Sequence, residues 1–194
     1  MASGDTPGAG PVVRTERLVL RPFSDADRAP FAELNAHPEV AEPLGGAVTR
    51  AQSDVMIDHI NAELAREGWG FWAVEPLERP GLVGMVGLHR VRAELPFAPA
   101  VEVGWRLHPD VWGRGYATEA AAASLRVGFD SGIDEIVAFT TTVNTRSQGV
   151  MDRLGMVRDP AGDFDHPALP VDSPLRRHVL YRIRASHLPP GVTP

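Results

Sequence analysis

Residues 101–129, VEVGWRLHPDVWGRGYATEAAAASLRVGF, constrain the fold more than any other stretch of this chain. Val101, Val103, Trp105 and Leu107 alternate with Glu102, Gly104, Arg106 and His108, the period of two expected of a strand with one buried face. Pro109 and Asp110 break that pattern, and Trp112-Gly113-Arg114-Gly115-Tyr116-Ala117 leads directly into Thr118-Glu119-Ala120-Ala121-Ala122-Ala123, a run of strong helix formers. A strand that enters a helix through a Gly-containing turn leaves the first N–H groups of the helix without partners, with the positive end of the helix dipole behind them. Such a turn is an anion site. Gly113 and Gly115 let a ligand approach the backbone, and Arg114 adds a positive charge.

Two well-known phosphate loops do not fit this turn. A P-loop closes on Gly-Lys-Ser/Thr, where the lysine reaches the phosphates and the hydroxyl holds magnesium, but here the residues are Gly-Tyr-Ala. A dinucleotide fingerprint has three spaced glycines at the start of a βαβ unit, and this turn has two, far from the N-terminus.

The rest of the chain arranges itself around that stretch. Residues 17–21 read as a strand ended by Pro22, and Ser24 caps a helix running to about Asn35, with Asp27 as the capping-box acid. His37-Pro38 stops that helix. Thr49 caps a second one, in which Met56, Ile60 and Leu64 recur every four residues and Gly68 is the stop. Residues 69–75 and 82–91 read as strands joined by a hairpin turn, with Trp69, Phe71 and Trp72 as core residues, and 93–100 is a Pro/Ala-rich linker. Gly132 ends the helix that opens at the turn, and residues 135–141, EIVAFTT, form a buried strand. Strand, helix and strand over 101–141 make a βαβ unit, so those two strands run parallel. A helix follows over 147–154, closed by Gly155, then a short strand over 156–158 and a loop over 159–174 whose length suits a lid or binding loop. The last strand spans 177–184. Residues 1–12 and 187–194 read as tails flanking a domain over 13–186.

Composition narrows the function. A chain of 194 residues fits one domain with a sizeable core. Net charge is −6 with no run of Lys or Arg, which argues against nucleic acid as the partner and suits a cationic substrate. With no cysteine there is no disulfide framework and no thiol nucleophile. The N-terminal residues lack a signal-peptide pattern and no apolar run approaches 18 residues, so a cytoplasmic protein with no membrane partner is expected. The histidines lack the spacing of a metal site, so none is expected.

The turn resembles the acyl-CoA pyrophosphate loop of the GNAT N-acetyltransferases, Gln/Arg-x-x-Gly-x-Gly/Ala, with Gly115 and Ala117 at the last two marked positions and Trp112 in place of Gln or Arg. WGRGYATEA is similar to the branch that includes the ribosomal-protein N-terminal alanine acetyltransferases of the RimJ/RimL type. Asn144-Thr145-Arg146-Ser147, followed by Leu154-Gly155-Met156, resembles that branch's Asn-x-x-Ser and Leu-Gly-Phe signature, with Met156 in place of Phe. Thr15-Glu16-Arg17-Leu18-Val19-Leu20-Arg21-Pro22 is similar to its first strand. The resemblance implies a single α/β (α+β) domain, a mixed central sheet of about seven strands with a splayed parallel pair, and about four helices. It implies acetyl-CoA as co-substrate, an amine acceptor (peptide N-terminus or small amine) lying along the first two helices, and a monomer or homodimer.

It also implies roles. Trp112, Gly113, Arg114, Gly115, Tyr116, Ala117 and Thr118 would hold the coenzyme's diphosphate, while Trp105 and Leu107 on the splayed strand and Asn144 and Ser147 would meet the pantetheine arm and thioester. Gly104 agrees with a bulge in that strand. Glu102 is the candidate base; its other reading is a solvated residue on a polar strand face. An α-amine, with pKa about 7.7–8.0, is roughly 10–15% neutral at pH 7 against roughly 0.04% for a lysine, and so needs less help. No tyrosine lies between 117 and 180 to protonate the departing thiolate, and Ser147 would do so instead; its other reading is an N-cap, with Asn144 a turn residue. Asp163, Asp165 and His166 either line the acceptor site or form turns, while His89, His108 and His178 read as structural. A catalytically silent acyl-CoA-binding module is the rival to an enzyme. It would keep the turn without needing Glu102 or Ser147.

Overall fold

Hydrophobic alternation along the central strands builds one mixed sheet covered by helices on both faces. The computed structural model describes residues 10–188. Its elements run β1 (Val13–Arg14), β2 (Leu18–Arg21), α1 (Arg28–Ala36), α2 (Pro38–Ala41), α3 (Arg50–Glu67), β3 (Phe71–Pro76), β4 (Gly84–Arg90), β5 (Val101–Leu107), α4 (Tyr116–Asp130), β6 (Glu135–Thr141), α5 (Thr145–Arg153), β7 (Val157–Arg158), β8 (Phe164–Asp165) and β9 (Arg177–Arg184). The strand order is β1-β2-β3-β4-β5-β6-β9-β7, with β8 also on β9. Only β5 and β6 pair in parallel, as the βαβ unit requires.

The period of two assigns each side chain to a face. Leu18, Leu20, Trp72, Val74, Val86, Leu88, Val103 and Leu107 point toward α4, whose alanines at 120–123 let it lie close on the sheet. Phe31, Leu34, Ile57 and Ile60 of α1 and α3 cover the other face over Ala73 and Met85. Phe71, Met85, Gly87, His89, Glu102, Gly104 and Arg106 share that second face, because β3, β4 and β5 pair in register there. Phe71 is partly buried: it packs against this second cluster and also lines a groove.

The expected mixed sheet with one parallel pair is present, and several local expectations shift. The sheet has nine strands and the described residues hold five α-helices, because short β1 and β8 and the single-turn α2 carry too little periodicity to read. The helix after Ser24 opens with a 3-10 turn, Asp25–Asp27, held by the expected Ser24–Asp27 capping box. Thr49 and Gly68 bound α3 as expected. β5 pairs with β4 without a register break from Gly84↔Leu107 to Arg90↔Val101, so there is no bulge at Gly104. α5 begins two residues before Ser147. Its cap is Asn144, whose Oδ1 accepts the Ser147 N–H at 3.1 Å.

Residues 1–9 and 189–194, most of the two expected tails, lie outside the described residues. Pro11 already engages the core, its carbonyl accepting the Trp72 indole N–H at 2.9 Å. No helix among the described residues is long and apolar enough to cross a membrane.

Candidate active site

Gly113 and Gly115 have φ of 76° and 82°, a left-handed conformation that costs a residue with a Cβ about 1–2 kcal/mol. Gly115 caps α4 without a side chain, so the helix's leading N–H groups face open space with the dipole behind them. Glu119, in the first turn of α4, fixes this loop to the first strand. Its Oε1 accepts from the Thr15 hydroxyl at 2.6 Å and the Arg17 N–H at 2.9 Å, and its Oε2 from Arg17 Nε at 2.7 Å. Arg17 also donates to the Arg114 carbonyl at 2.9 Å and lies over the Tyr116 ring. The Arg114 guanidinium leans out toward Glu78 at 3.4 Å, and the same Glu78 oxygen accepts from the Tyr116 hydroxyl at 3.0 Å. Positive charge at the cavity wall comes also from Arg146, 4.6 Å over the Trp112 ring, and from Arg153, whose Nε reaches the Thr118 hydroxyl at 3.4 Å.

β5 and β6 touch only at Val101↔Ile136 and Glu102↔Val137, and then diverge. The edge of residues 103–107 that would face β6 is thereby left open to a ligand. A cavity of about 1440 Å³ runs from residues 113–118 and the head of α5, past this opening, to α3. Trp105, Leu107, Trp112, Asn144 and Ser147 all line it, as do Phe71, His89 and Glu102 on the far side of the opening.

Glu102 is not a solvated residue on a polar face. It lies directly across the β4–β5 pair from His89, whose Nε2 is 2.7 Å from Glu102 Oε2. His89 Nδ1 sits 3.0 Å from the Arg90 carbonyl, which can only accept, so that nitrogen carries a hydrogen. With Glu102 ionised, both ring nitrogens face acceptors, an arrangement that favours the imidazolium. Burial disfavours that charge, but the Glu102 carboxylate outweighs it and holds His89 above its ordinary value of 6.5. The ring also stacks on Phe71 at 5.2 Å. With Oε2 engaged, Glu102 Oε1 lies over Gly104, 3.8 Å from where a Cβ would stand and beside the edge of the Phe71 ring, on the wall of the cavity.

A raised histidine pKa stabilises the fold below about 6.5 and stops doing so as pH rises through the folded value. His89→Gln should accordingly lower the melting temperature by roughly 3–6 °C at pH 5.5, for an interaction of about 1.5 kcal/mol, and by much less at pH 9. Thermal melts across that range test this. An equal loss at both ends would mean the ring is neutral in the fold.

Since Asn144 caps α5, the Ser147 hydroxyl has no part in the cap, and its position on the first turn places it on the cavity wall. The loop over 159–174 lies elsewhere: none of its residues lines the cavity. Asp163 holds Arg158 at 2.6 Å, Asp165 holds Arg177 at 3.4 Å, and Phe164 and His166 pack beside His178. These contacts fasten residues 163–166 to β9, outside the cavity lining. No cluster among the described residues could hold a metal ion.

Residues 17–157 match the acetyltransferase (GNAT) domain family. The chain belongs to the GNAT acetyltransferases. It is 29% identical over 156 residues to the FsC-acetyl coenzyme A-N(2)-transacetylase of Aspergillus fumigatus, covering 76% of this chain and 66% of that enzyme. A GNAT-family acetyltransferase from Bacillus anthracis superposes with a TM-score of 0.74 at 26% identity, over 90% of this chain and 98% of that one. Mycobacterium smegmatis RimJ, solved with a CoA disulfide, shares the fold with a TM-score of 0.70 at 23% identity, over 93% of this chain and 90% of that one.

As a GNAT enzyme the chain takes its acetyl group from acetyl-CoA, and the silent-module alternative loses its footing. The structure gathers the expected site residues around one cavity, with one exception: the Tyr116 side chain is buried in the core and only its backbone faces the turn. Reading the sequence took His89 as structural and gave Arg17, Arg146 and Arg153 no place in the site. His89 could have been paired with Glu102 by laying β4 against β5 in register, but the other three partnerships span elements with no periodic relation.

Proposed function

We propose that this GNAT enzyme acetylates a primary amine that lies in the groove between α3 and the β4–β5 face, with an α-amine as the acceptor that demands least of the base. The observation that carries this reading is the placement of Glu102 Oε1 over Gly104, where β5 leaves β6. Gly113, Arg114, Gly115, Ala117 and Thr118 with the Tyr116 N–H are assigned to the diphosphate, joined by Arg146 and Arg153. Trp105, Leu107, Trp112 and Asn144 are assigned to the pantetheine arm. Glu102 removes a proton from the acceptor ammonium. The freed nitrogen forms the C–N bond to the acetyl carbon as the C–S bond breaks, the Ser147 hydroxyl supplies a proton to the departing thiolate, and the second proton that the new amide nitrogen sheds restores the Ser147 hydroxyl. The name of the fungal relative, an N-transacetylase, is in keeping with nitrogen as the acceptor.

A panel of small amines and N-terminal peptides, scored for release of free CoA, tests the reading, and no release from any amine at saturating acetyl-CoA would defeat it. Ser147→Ala should lower kcat by about 10–100-fold with the Kd for acetyl-CoA within about twofold, the signature of a group that acts on the leaving thiolate. An unchanged kcat would leave Ser147 a wall residue.

A further inference from the structure

Arg106 is set into the groove wall on the same sheet face as Glu102, beneath α1 and α3, and nothing so far gives it a task. Its only hydrogen-bond partner among the described residues is neutral: Nη1 donates to Asn35 Oδ1, and Asn35 in turn donates from Nδ2 to the Ser53 hydroxyl at 2.9 Å. Nε is buried with no acceptor among the described residues. Burial pulls this guanidinium down from its ordinary value to about 10. Arg21, set against the same α1 layer, shows the usual solution, clasped by Asp27 at 2.6 Å and Glu75 at 2.8 Å. A guanidinium held out of water without an anion is costly, and removing the charge would relieve that cost, so its presence calls for a counter-ion that arrives from outside.

The groove supplies a direction for that ion. At about 3.4 Å per residue, Arg106 lies about 7 Å along β5 from Gly104, where the acceptor nitrogen is placed, and about 14 Å from Glu102. Glu102 and Arg106 line the same cavity at two levels of the β4–β5 pair, Glu102 opposite His89 and Arg106 opposite apolar Met85, with Gly87 and Gly104 at the level between them. The coenzyme's diphosphate is already matched by the N–H groups at the head of α4, which packs on the other face of the sheet from Arg106. We infer that Arg106, positioned by Asn35, binds a carboxylate carried by the acceptor itself, so that the substrate is a small amino acid whose ammonium meets Glu102 while its carboxylate meets Arg106. This rests on the proposed amine-acetylating role of the groove and names the class of amine.

The test reads equilibrium binding first, with the protein saturated in CoA so that every coenzyme anion is already in place. N-acetylalanine, N-acetylmethionine and N-acetyl-4-aminobutyrate would each be titrated calorimetrically as free acid and as carboxamide. In the wild type at least one free acid should bind at least about tenfold more tightly than its amide. Arg106→Gln should bring that ratio close to one. Asn35→Asp should do the same while keeping the buried cluster satisfied, because it gives Arg106 an internal carboxylate, so the result does not depend on how well Arg106→Gln folds. Acid and amide binding alike in the wild type, no binding by either, or a preference that survives in both variants would each overturn the inference.

A kinetic arm separates this from the reading beneath it. Free amino acids should exceed their amides in kcat/KM through KM. Equal turnover of acids and amides would refute the carboxylate site and leave amine acetylation standing. A tenfold binding preference without turnover of any amine would support the site and defeat the amine-acetylating reading.

Discussion

Replacing Gly115 with glutamate is expected to raise the Kd for acetyl-CoA by at least about 100-fold, about 2.7 kcal/mol. Two effects add. At φ 82° any Cβ is strained, and here it would stand 3.3 Å from Arg17 Nη2, the guanidinium that ties the turn to Glu119. The new carboxylate would also occupy the point at which the leading N–H groups of α4 converge, repelling a diphosphate where the bare helix end attracts it. Gly115→Ala carries the strain without the charge and should lose only about tenfold, so the pair of variants separates the terms. Calorimetric titration with acetyl-CoA checks both, with circular dichroism to show that α4 persists. Affinity unchanged in the glutamate variant would put the diphosphate somewhere other than the head of α4.

Glu102→Gln should lower kcat by about 100–1000-fold while the Kd for acetyl-CoA stays within about twofold. Glutamine matches the shape of glutamate and can still accept from His89, so packing against Phe71 and Gly104 is kept, and what disappears is the oxygen able to take a proton. The carboxylate is also the group that keeps His89 charged, so in the variant the histidine should fall back toward, or below, its ordinary value as burial acts unopposed. Following the His89 ring by NMR titration alongside the steady-state rates reads both consequences in one protein. A kcat within a few fold of wild type would remove Glu102 from the chemistry and leave it as the partner of a structural histidine.

Much of the architecture was legible because it is set locally. The Thr49 cap and the Gly68 stop of α3, the Ser24–Asp27 box and the bounds of β5 and β6 each depend on residues within a turn or a strand of one another. The Gly-containing turn was legible for the same reason. The errors came where two local solutions compete. Asn144 and Ser147 can both cap a helix, and the chain uses Asn144, which lengthens α5 and leaves the Ser147 hydroxyl at the cavity wall. A glycine in a strand can mark a bulge or a close approach, and Gly104 marks the second: the ladder is unbroken, and a Cβ added there would stand 3.3 Å from the Phe71 ring. The Pro-containing loop over 159–174 reads like a lid by length, but its acids find arginines on and beside β9.

By itself, then, the sequence determined the strand–turn–helix with its anion-binding end and the parallel pair that the βαβ connection demands. It did so because backbone sterics, hydrogen-bond closure and side-chain period act over a few neighbouring residues. Only the tertiary structure decided which charges meet: His89 with Glu102 across the β4–β5 ladder, Arg17 with Glu119 beneath the turn, and Arg106 with neutral Asn35. Those pairings follow from strand register and from which helix covers which face. Both are fixed by the packing of the whole core, and no window of sequence contains them.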